Sequence, residues 1–319
     1  MRIFVTGATG FAGSHLVDDL LAQEHEVFGL SYDKNEPQRH VGHPLYRSIT
    51  GDLLDLSSLD AALKVAQPDV IYHLAGWALT AQSWEHPART INVNTAGTAN
   101  LFQAAVARGR PRVVAVTSAE IYGVVKPEQL PITEESVPDP HHPYGVSKWA
   151  AGRLVPLYWD RYELPVIEAR PFNHIGPRQS LGFVVPDFAS QLAGIKLGQK
   201  APTISVGNLS AERDFTDVRD VVRAYQALAE QGQPGTPYII CSGQAVPIHY
   251  LLNVLVETAG VAVEIEYDQA RMRPSDTPVL FGSYARLNAD TGWAPQIHLR
   301  ESLRDAFEDW RQRLAEAEG

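Results

Sequence analysis

Over residues 1–170 the chain alternates short apolar, β-branched runs with longer amphipathic stretches. This alternation is typical of parallel strands joined by crossover helices, because parallel strands need a long connection between them. Each predicted strand is apolar nearly throughout, which indicates a sheet covered by helices on both faces. We therefore predict an α/β fold with a Rossmann-type, doubly wound parallel sheet.

The alternation predicts six strands, at Arg2–Thr6, Glu26–Leu30, Leu45–Thr50, Val70–Leu74, Arg112–Ser118 and Pro165–Arg170. The helices predicted between them are Phe11–Gln23, Leu56–Ala66, Pro87–Arg108 and Tyr144–Tyr162. After Pro171 the pattern changes to Pro- and Gly-rich loops with shorter helices, such as Val218–Glu230, and a last amphipathic helix, Leu299–Ala315. With no low-complexity linker in the chain, we expect residues 171–319 to form a smaller substrate lobe, some of whose segments return to the Rossmann domain of residues 1–170.

The charge balance and the cysteine count exclude several classes of function. The chain has 37 acidic and 27 basic side chains, a net charge of -10, which opposes binding to nucleic acid or to an anionic membrane. The single cysteine, Cys241, excludes an internal disulfide. No apolar stretch reaches the roughly 18 residues of a membrane span, and the N-terminus lacks the features of a secretory signal. We expect a cytoplasmic protein without a nucleic-acid or membrane partner.

The segment between the first strand and the first helix has glycines spaced GxxGxxG. Glycines at such a turn let the main chain approach a pyrophosphate, and the helix N-terminus offers unpaired N–H groups. The alternative is a tight strand-to-helix turn without a ligand. We expect a dinucleotide here, bound by Gly7, Gly10, Phe11, Ala12 and Gly13.

Residues at the ends of the other strands extend this predicted dinucleotide site. Asp52 and Leu53 follow the third strand and suit an adenine, whereas Leu74 and Ala75 end the fourth strand. Ser31 occupies the end of the second strand, where a carboxylate would bind a ribose hydroxyl of NAD(H). Because Ser31 is small and neutral, and Lys34 and Arg39 are nearby in sequence, we expect NADP(H), with NAD(H) as the alternative.

A tyrosine and a lysine four residues apart, Tyr144 and Lys148, share one face of a predicted helix. An ammonium near a phenol lowers its pKa from about 10 toward neutrality, which makes a usable general acid or base. Ser118, at the end of the fifth strand, could orient a substrate oxygen, and Glu120 follows it. Two adjacent histidines, His141 and His142, lack further ligands at metal-binding spacing and are interpreted as a surface loop, so no metal site is expected.

The glycine turn, the strand-end serine and the Tyr/Lys helix, in this order, resemble the extended short-chain dehydrogenase/reductase superfamily over essentially the whole chain. The resemblance implies a smaller nucleotide-sugar lobe and places Asn94 on the cofactor side as a structural residue. It also implies a homodimer, in which helices near Asn94–Arg108 and Tyr144–Tyr162 pair with their copies in a four-helix bundle.

Motifs in the second half resemble the branch of the superfamily that handles GDP-hexoses. They are Arg170–Pro177, Gln179–Val184, Val206–Leu209, Glu212–Asp220 and Arg271–Asp276. By this resemblance the diphosphate or ribose contacts are Asn173, Arg213, Arg273 and Asp276, and the other substrate candidates are Ser118, Val184 and Asn208. The alternatives are ion pairs of Arg213 with Asp214 and of Arg273 with Asp276, and a turn role for Asn208.

Glu120 bears on which reaction this branch member catalyses. A GDP-mannose 4,6-dehydratase needs a base for the proton on sugar C5, and the chain retains Glu120 but has Ala119 where sugar-nucleotide dehydratases usually carry an aspartate or serine. The sequence that follows Arg213 also resembles the reductases. We therefore expect NAD(P)H-dependent reduction of the C4 ketone of GDP-4-keto-6-deoxy-D-mannose, with GDP-D-rhamnose as the expected product. The alternatives are the dehydratase, a nucleotide-sugar 4-epimerase and a non-enzymatic dinucleotide sensor.

Overall fold

The computed structural model describes residues 1–33, 39–269 and 277–317. Strands and helices are numbered along the chain. Seven strands form one parallel sheet: β1 (Arg2–Thr6), β2 (Glu26–Ser31), β3 (Tyr46–Thr50), β4 (Val70–His73), β5 (Arg112–Val116), β6 (Val166–Pro171) and β10 (Pro237–Ile240). Their order across the sheet is β10-β6-β5-β4-β1-β2-β3. The strand order reverses direction at β1, where β2 lies on one side and β4 on the other, and such a reversal opens a crevice for ligands at the carboxyl ends.

Helices cover both faces of this sheet. One face packs against α1 (Phe11–Ala22) and α8 (Val218–Gln231), and its core contains Ile3 and Val5 of β1. The other face packs against α2 (Leu56–Ala66), α5 (Gly97–Ala107) and α6 (Pro143–Tyr162). Phe4, which lies between Ile3 and Val5, belongs to that second core. Burial of both faces is why the inner strands are nearly all apolar, whereas the edge strand β3 is mostly exposed and carries polar residues. The predicted doubly wound fold is confirmed.

The helix predicted at Pro87–Arg108 is divided in the structure. A short helix, α3 (Thr80–Glu85), precedes α4 (Pro87–Ile91), and one π-helical turn, Asn92–Ala96, joins α4 to α5. Such single π-turns are frequent at functional sites, because the extra residue changes the direction in which a side chain points. Here the turn contains Asn94, and the sequence pattern did not predict it.

The rest of the chain forms a smaller lobe. Its strands are β7 (Asn173–Ile175), β8 (Thr203–Val206), β9 (Glu212–Asp217), β11 (Ala245–Pro247), β12 (Glu264–Tyr267) and β13 (Val279–Leu280). Strands β7, β11 and β13 pair with β9, and β12 pairs with β8. Its helices are α7 (Val184–Lys196), α9 (Ile248–Ala259) and α11 (Leu299–Glu316), whereas α10 (Ala285–Thr291) packs against the large sheet through Leu287.

The two lobes are interwoven rather than consecutive. Helices α7, α9 and α11 share a separate apolar core, which includes Leu192, Leu255 and Phe307. Strand β10, however, lies beside β6 in the large sheet. Among the residues that the structure describes, no helix has the length and apolar character needed to cross a membrane.

Candidate active site

A cavity of about 1060 Å³ lies where the carboxyl ends of the large sheet face the smaller lobe. It brings together most of the residues that the sequence singled out. Those that line it are Gly7, Gly10, Phe11, Ala12, Gly13, Asp52, Leu53, Leu74, Ala75, Ser118, Glu120, Tyr144, Lys148, Asn173, Val184 and Arg213.

The glycine turn forms one end of the cavity and is built from close main-chain contacts. Gly7 has a φ of +73°, which a residue with a side chain rarely adopts. A Cβ atom at Gly13 would lie 1.9 Å from the carbonyl oxygen of Gly7, so only glycine fits there. No side chain in the described part of the chain caps the first turn of α1. This cradle fits a dinucleotide pyrophosphate, because its helix-terminal N–H groups need a ligand.

A series of buried hydrogen bonds between side chains holds the neighbouring strand ends in place. The Thr6 hydroxyl lies 2.8 Å from Nδ1 of His73, whose Nε2 lies 2.9 Å from the hydroxyl of Thr98. Burial lowers the pKa of His73 to about 3, so this link is uncharged at neutral pH. The Thr6 hydroxyl also accepts the N–H of Ala75 at 3.1 Å, which fixes the main chain after β4 at the cavity wall. These hydrogen bonds were not predicted, although polar residues at the ends of adjacent strands were the signal for them.

Three predicted residues lie outside the cavity lining. The hydroxyl of Ser31 is buried and donates to the carbonyl of Asp33 at 2.7 Å. Asn94 accepts the N–H of Trp77 at 2.7 Å and donates to the Trp77 carbonyl at 3.1 Å, which gives it a structural position. Asn208 accepts the N–H of Ser210 at 2.9 Å, as the turn alternative predicts.

Some of the predicted positions lie outside the residues that the structure describes. These are Arg273 and Asp276, together with Lys34 of the loop after β2.

Tyr144 and Ser118 meet at the centre of the cavity. Ser118 follows β5 and caps a 3-10 turn, Ala119–Tyr122, whereas Tyr144 lies in the first turn of α6. Both side chains line the cavity, and Ser118 is close enough to influence the pKa of the Tyr144 phenol. Burial raises the pKa of Tyr144 to about 12, the Ser118 side chain lowers it, and the charge of Glu120 raises it. The phenol is therefore protonated at neutral pH.

Lys148 lies one helical turn after Tyr144 and is buried. Its Nζ donates to the carbonyl of Val116 at 2.9 Å, and burial lowers its pKa to about 8. The prediction that Lys148 draws the Tyr144 pKa toward neutrality is wrong for this arrangement, because burial of the phenol dominates and raises that pKa. Burial disfavours the charged form of both groups, so the phenol holds its proton more tightly and the ammonium holds its proton less tightly.

His142 was interpreted as part of a surface loop, and the structure corrects this. It is the N-cap of α6, where its Nδ1 accepts the N–H of Gly145 at 3.0 Å. Its Nε2 lies 2.9 Å from Oε2 of Glu120. The missed signal was Pro143, which is favoured at the first position of a helix and therefore marks the preceding residue as the cap.

The opposite wall of the cavity carries Asn173 and Arg213. Asn173 donates from Nδ2 to the carbonyl of Asp214 at 3.3 Å, and Arg213 donates to the carbonyl of Glu212 at 2.8 Å. The Asp214 carboxylate, offered by the sequence as an ion-pair partner of Arg213, is instead bound by the main-chain N–H groups of Ser242 and Gly243. Burial lowers the pKa of Arg213. A half-buried guanidinium at the cavity wall suits phosphate oxygens.

Comparison with known proteins gives a family and full-length relatives. The family model described as GDP-mannose 4,6 dehydratase matches residues 4–306. The GDP-6-deoxy-D-mannose reductase of Pseudomonas aeruginosa is 41% identical over 317 residues, which cover 99% of each chain.

Solved structures of related proteins also match nearly the whole chain. RMD from Pseudomonas aeruginosa complexed with NADPH has a TM-score of 0.87 at 39% identity and covers 98% of this chain and 99% of that one. The UDP-glucose 4-epimerase of Thermotoga maritima with UDP-glucose has a TM-score of 0.89 at 26% identity and covers 98% of this chain and 100% of that one. The chain belongs to the GDP-mannose 4,6 dehydratase family, within the extended short-chain dehydrogenase/reductase superfamily that its motifs resemble.

Proposed function

We propose that the protein reduces the C4 ketone of GDP-4-keto-6-deoxy-D-mannose with NADPH and releases a GDP-6-deoxyhexose. The observation that carries this proposal is the single cavity in which Ser118, Tyr144 and Lys148 lie between the glycine turn and Arg213. The 41% identity to a GDP-6-deoxy-D-mannose reductase over the full length supports the same reaction. GDP-D-rhamnose is the product we expect.

NADPH fits the end of the cavity that main-chain atoms build. The N–H groups at the start of α1 would bind the pyrophosphate, Asp52 and Leu53 would face the adenine, and Leu74 and Ala75 would lie along the dinucleotide. Lys148 would hold the nicotinamide ribose. The bound cofactor supplies the hydride. A relative solved with NADPH supports this choice over NADH, as does the absence of a carboxylate at Ser31.

The residues of the chain then act on the C4 oxygen. Tyr144 donates its proton to this oxygen, and Ser118 donates a second hydrogen bond that stabilises the charge developing on it. Because burial holds the Tyr144 pKa near 12, the phenol is in the protonated form that a reduction requires. Lys148, charged when bound to NADPH, lowers the cost of leaving a phenolate behind.

The nucleotide half of the substrate would lie against the smaller lobe. Asn173 and Arg213 would bind the diphosphate, Val184 would lie near the base, and we assign further contacts to Asn208, Arg273 and Asp276. We take residues 1–170 mainly as the cofactor domain and residues 171–319 mainly as the substrate domain.

The second candidate is the 4,6-dehydratase, which the presence of Glu120 on the cavity wall favours. A dehydratase needs Glu120 to take the C5 proton, whereas a reductase does not. Glu120→Gln would abolish a dehydratase, but we expect it to leave a reductase much more active than Tyr144→Phe does.

We also propose a cytoplasmic homodimer with α5 and α6 in a four-helix bundle. The exposed apolar side chains of α6 support this, among them Trp149, 39% exposed, and Leu157, 56% exposed. A single species of monomer mass in light scattering would contradict the dimer, and activity confined to a membrane or secreted fraction would contradict the location.

One incubation tests the function. The protein is mixed with GDP-4-keto-6-deoxy-mannose and NADPH, and in parallel with GDP-mannose and NADP⁺, and the products are identified by NMR. We expect cofactor oxidation and a GDP-6-deoxyhexose in the first mixture. Formation of the 4-keto-6-deoxy sugar from GDP-mannose, with no reduction in the first mixture, would establish the dehydratase instead.

Calorimetry with GDP tests the substrate class. We expect GDP to bind, and Arg213→Ala to weaken its binding by about 2 to 3 kcal/mol, because a charge-assisted hydrogen bond is lost. Equal GDP affinity in wild type and variant would remove Arg213 from the diphosphate site.

A further inference from the structure

His142 lies beside the cavity and contacts two parts of the active site. Its Nδ1 accepts the N–H of Gly145 at 3.0 Å, and an N–H group can only donate, so the lone pair is on Nδ1. The neutral ring then carries its proton on Nε2, which lies 2.9 Å from Oε2 of Glu120. His142 therefore donates a hydrogen bond to the Glu120 carboxylate while it caps the helix that carries Tyr144.

The segment with Glu120 is also held by main-chain contacts. The N–H of Glu120 donates to the Ser118 hydroxyl at 3.1 Å. A Cβ atom at Gly145 would lie 2.8 Å from the Glu120 carbonyl oxygen, which shows how closely α6 approaches this segment. The imidazole of His142 lies parallel to the Tyr144 ring, with 6.1 Å between ring centroids. Within the part of the chain that the structure describes, His142 is the side chain shown hydrogen-bonded to the Glu120 carboxylate, and this bond directs it.

The two side chains face different surroundings. Glu120 lines the cavity and its side chain is 44% exposed, whereas His142 does not line the cavity and is 15% exposed. A carboxylate can only accept hydrogen bonds, and a hexose presents hydroxyl groups that donate them. Ser118 and Tyr144 mark the proposed position of the C4 oxygen, so a carboxylate that lines the cavity beside them would face the hexose.

We propose that Glu120 and His142 form a sugar-recognition pair. Glu120 accepts a hydrogen bond from a hydroxyl of the hexose, and His142 is the positioning residue that fixes the direction of the carboxylate. This inference rests on the proposed function, since it takes the ligand to be a GDP-hexose. Fixing a flexible glutamate before the ligand arrives reduces the ordering cost of binding, which is why a positioning residue raises affinity.

The test compares two probes, GDP and GDP-mannose, by calorimetry on protein saturated with NADPH. GDP-mannose has no ketone, so NADPH cannot reduce it, and the ratio of the two dissociation constants reports the contacts made by the hexose. We expect wild type to bind GDP-mannose more tightly than GDP. Glu120→Gln should reduce this preference about tenfold, because the charged acceptor is lost. His142→Ser should reduce it about threefold or more, and the double variant no further than Glu120→Gln.

The variants separate positioning from helix capping. Serine is a preferred N-cap, so His142→Ser keeps the cap but loses the bond to Glu120, whereas His142→Ala loses both. Both variants lose the ring contact with Tyr144, so that contact does not distinguish them. We therefore expect His142→Ala, but not His142→Ser, to lower the melting temperature. His141→Ser is the matched control, because the His141 side chain is 50% exposed and its partner is Asp139, at 3.3 Å.

Each contrary result has a distinct meaning. An unchanged preference in His142→Ser, an equal loss of affinity for GDP and GDP-mannose, or additive effects in the double variant would overturn the positioning role. Equal wild-type affinity for the two probes would overturn the sugar contact of Glu120. Binding of neither probe by wild type would instead contradict the proposed function itself.

Discussion

The two ends of the cavity differ in whether main-chain atoms or side chains form them. The end around the glycine turn is main chain, held by contacts such as that between Gly13 and the Gly7 carbonyl, whereas the end facing the smaller lobe presents side chains such as Glu120 and Arg213. A site made of main chain needs only turn geometry and strand ends, so many sequences can provide it. A site made of side chains depends on particular residues, so that end is where enzymes with this fold can differ in substrate.

A substitution at the side-chain end of the cavity should have the largest effect, and this effect is on the chemical step. Tyr144→Phe removes the proton donor and keeps the ring, so we expect turnover to fall by about 10² to 10⁴, with only a modest change in KM. Steady-state kinetics with the 4-keto sugar and NADPH measure both constants. Tyr158→Phe is the matched control on the same helix, where the lost hydroxyl donates only to the Ala99 carbonyl at 3.3 Å. A Tyr144→Phe enzyme within threefold of wild-type turnover would remove Tyr144 from the proton transfer.

A substitution at the main-chain end of the cavity should instead weaken cofactor binding. In Gly13→Ala the new methyl group would meet the Gly7 carbonyl oxygen, which cannot move without opening the turn. We expect NADPH affinity to fall about a hundredfold and the folded state to lose about 1 to 3 kcal/mol. Titration of NADPH fluorescence and urea unfolding measure the two losses.

Gly194→Ala in α7 is the control for Gly13→Ala. The atoms nearest to a methyl group there belong to the flexible side chain of Lys200, so we expect little change in either measurement. Tight NADPH binding by Gly13→Ala would show that the turn does not hold the pyrophosphate.

The same contrast explains what the sequence could predict. Strand β1 and helix α2 have the predicted bounds, because apolar periodicity and capping signals determine them locally. A return of some later segments to the Rossmann domain was predicted, but strand β10 was not identified as such a segment, since its four residues carry no sign of which sheet they join. The π-turn around Asn94 was missed because an extra residue within a helix leaves the apolar pattern nearly unchanged.

The residues of the site also differ in whether the sequence could predict them. The glycine turn and the strand ends could be located from spacing, whereas Asn173 and Arg213 were identified only through resemblance to a family. His142 was missed as a partner of Glu120, because the distance between Nε2 and Oε2 depends on tertiary packing and not on their separation of 22 residues.

Lys148 lies between the two ends of the cavity, and we expect its buried charge to lower the stability of the folded protein. Burial lowers its pKa from the ordinary value of 10.5 to about 8, so at pH 7 the folded protein carries an unfavourable buried charge. Lys148→Met removes that charge but leaves the Val116 carbonyl without its donor. We therefore expect the variant to be inactive and yet more stable than wild type by about 2 kcal/mol at pH 7.

The pH dependence of this gain has a definite sign. Between pH 8 and 10.5 the unfolded lysine binds more protons than the folded one, so wild-type stability rises with pH and the advantage of Lys148→Met shrinks. Urea unfolding at pH 7 and pH 9.5 measures this trend. Lys64→Met, on the exposed surface of α2, should show no such dependence. An advantage that stays constant from pH 7 to 9.5 would contradict the buried charge.

Ser31 should give the smallest effect, because it belongs to the cofactor end by sequence position but does not line the cavity. In Ser31→Asp a carboxylate would repel the 2′-phosphate of NADPH and accept from the free hydroxyl of NADH. The Ser31 hydroxyl donates to the Asp33 carbonyl at 2.7 Å. An aspartate side chain at this position must therefore turn away from that carbonyl before it can reach the cofactor. We expect the ratio of kcat/KM for NADPH to that for NADH to fall only about tenfold, or about 1.4 kcal/mol. Ser31→Ala separates loss of the hydroxyl from gain of the charge and should leave the ratio near wild type. If Ser31→Asp also leaves it unchanged, the second strand does not select the cofactor, and the main-chain end of the cavity contributes affinity without discrimination.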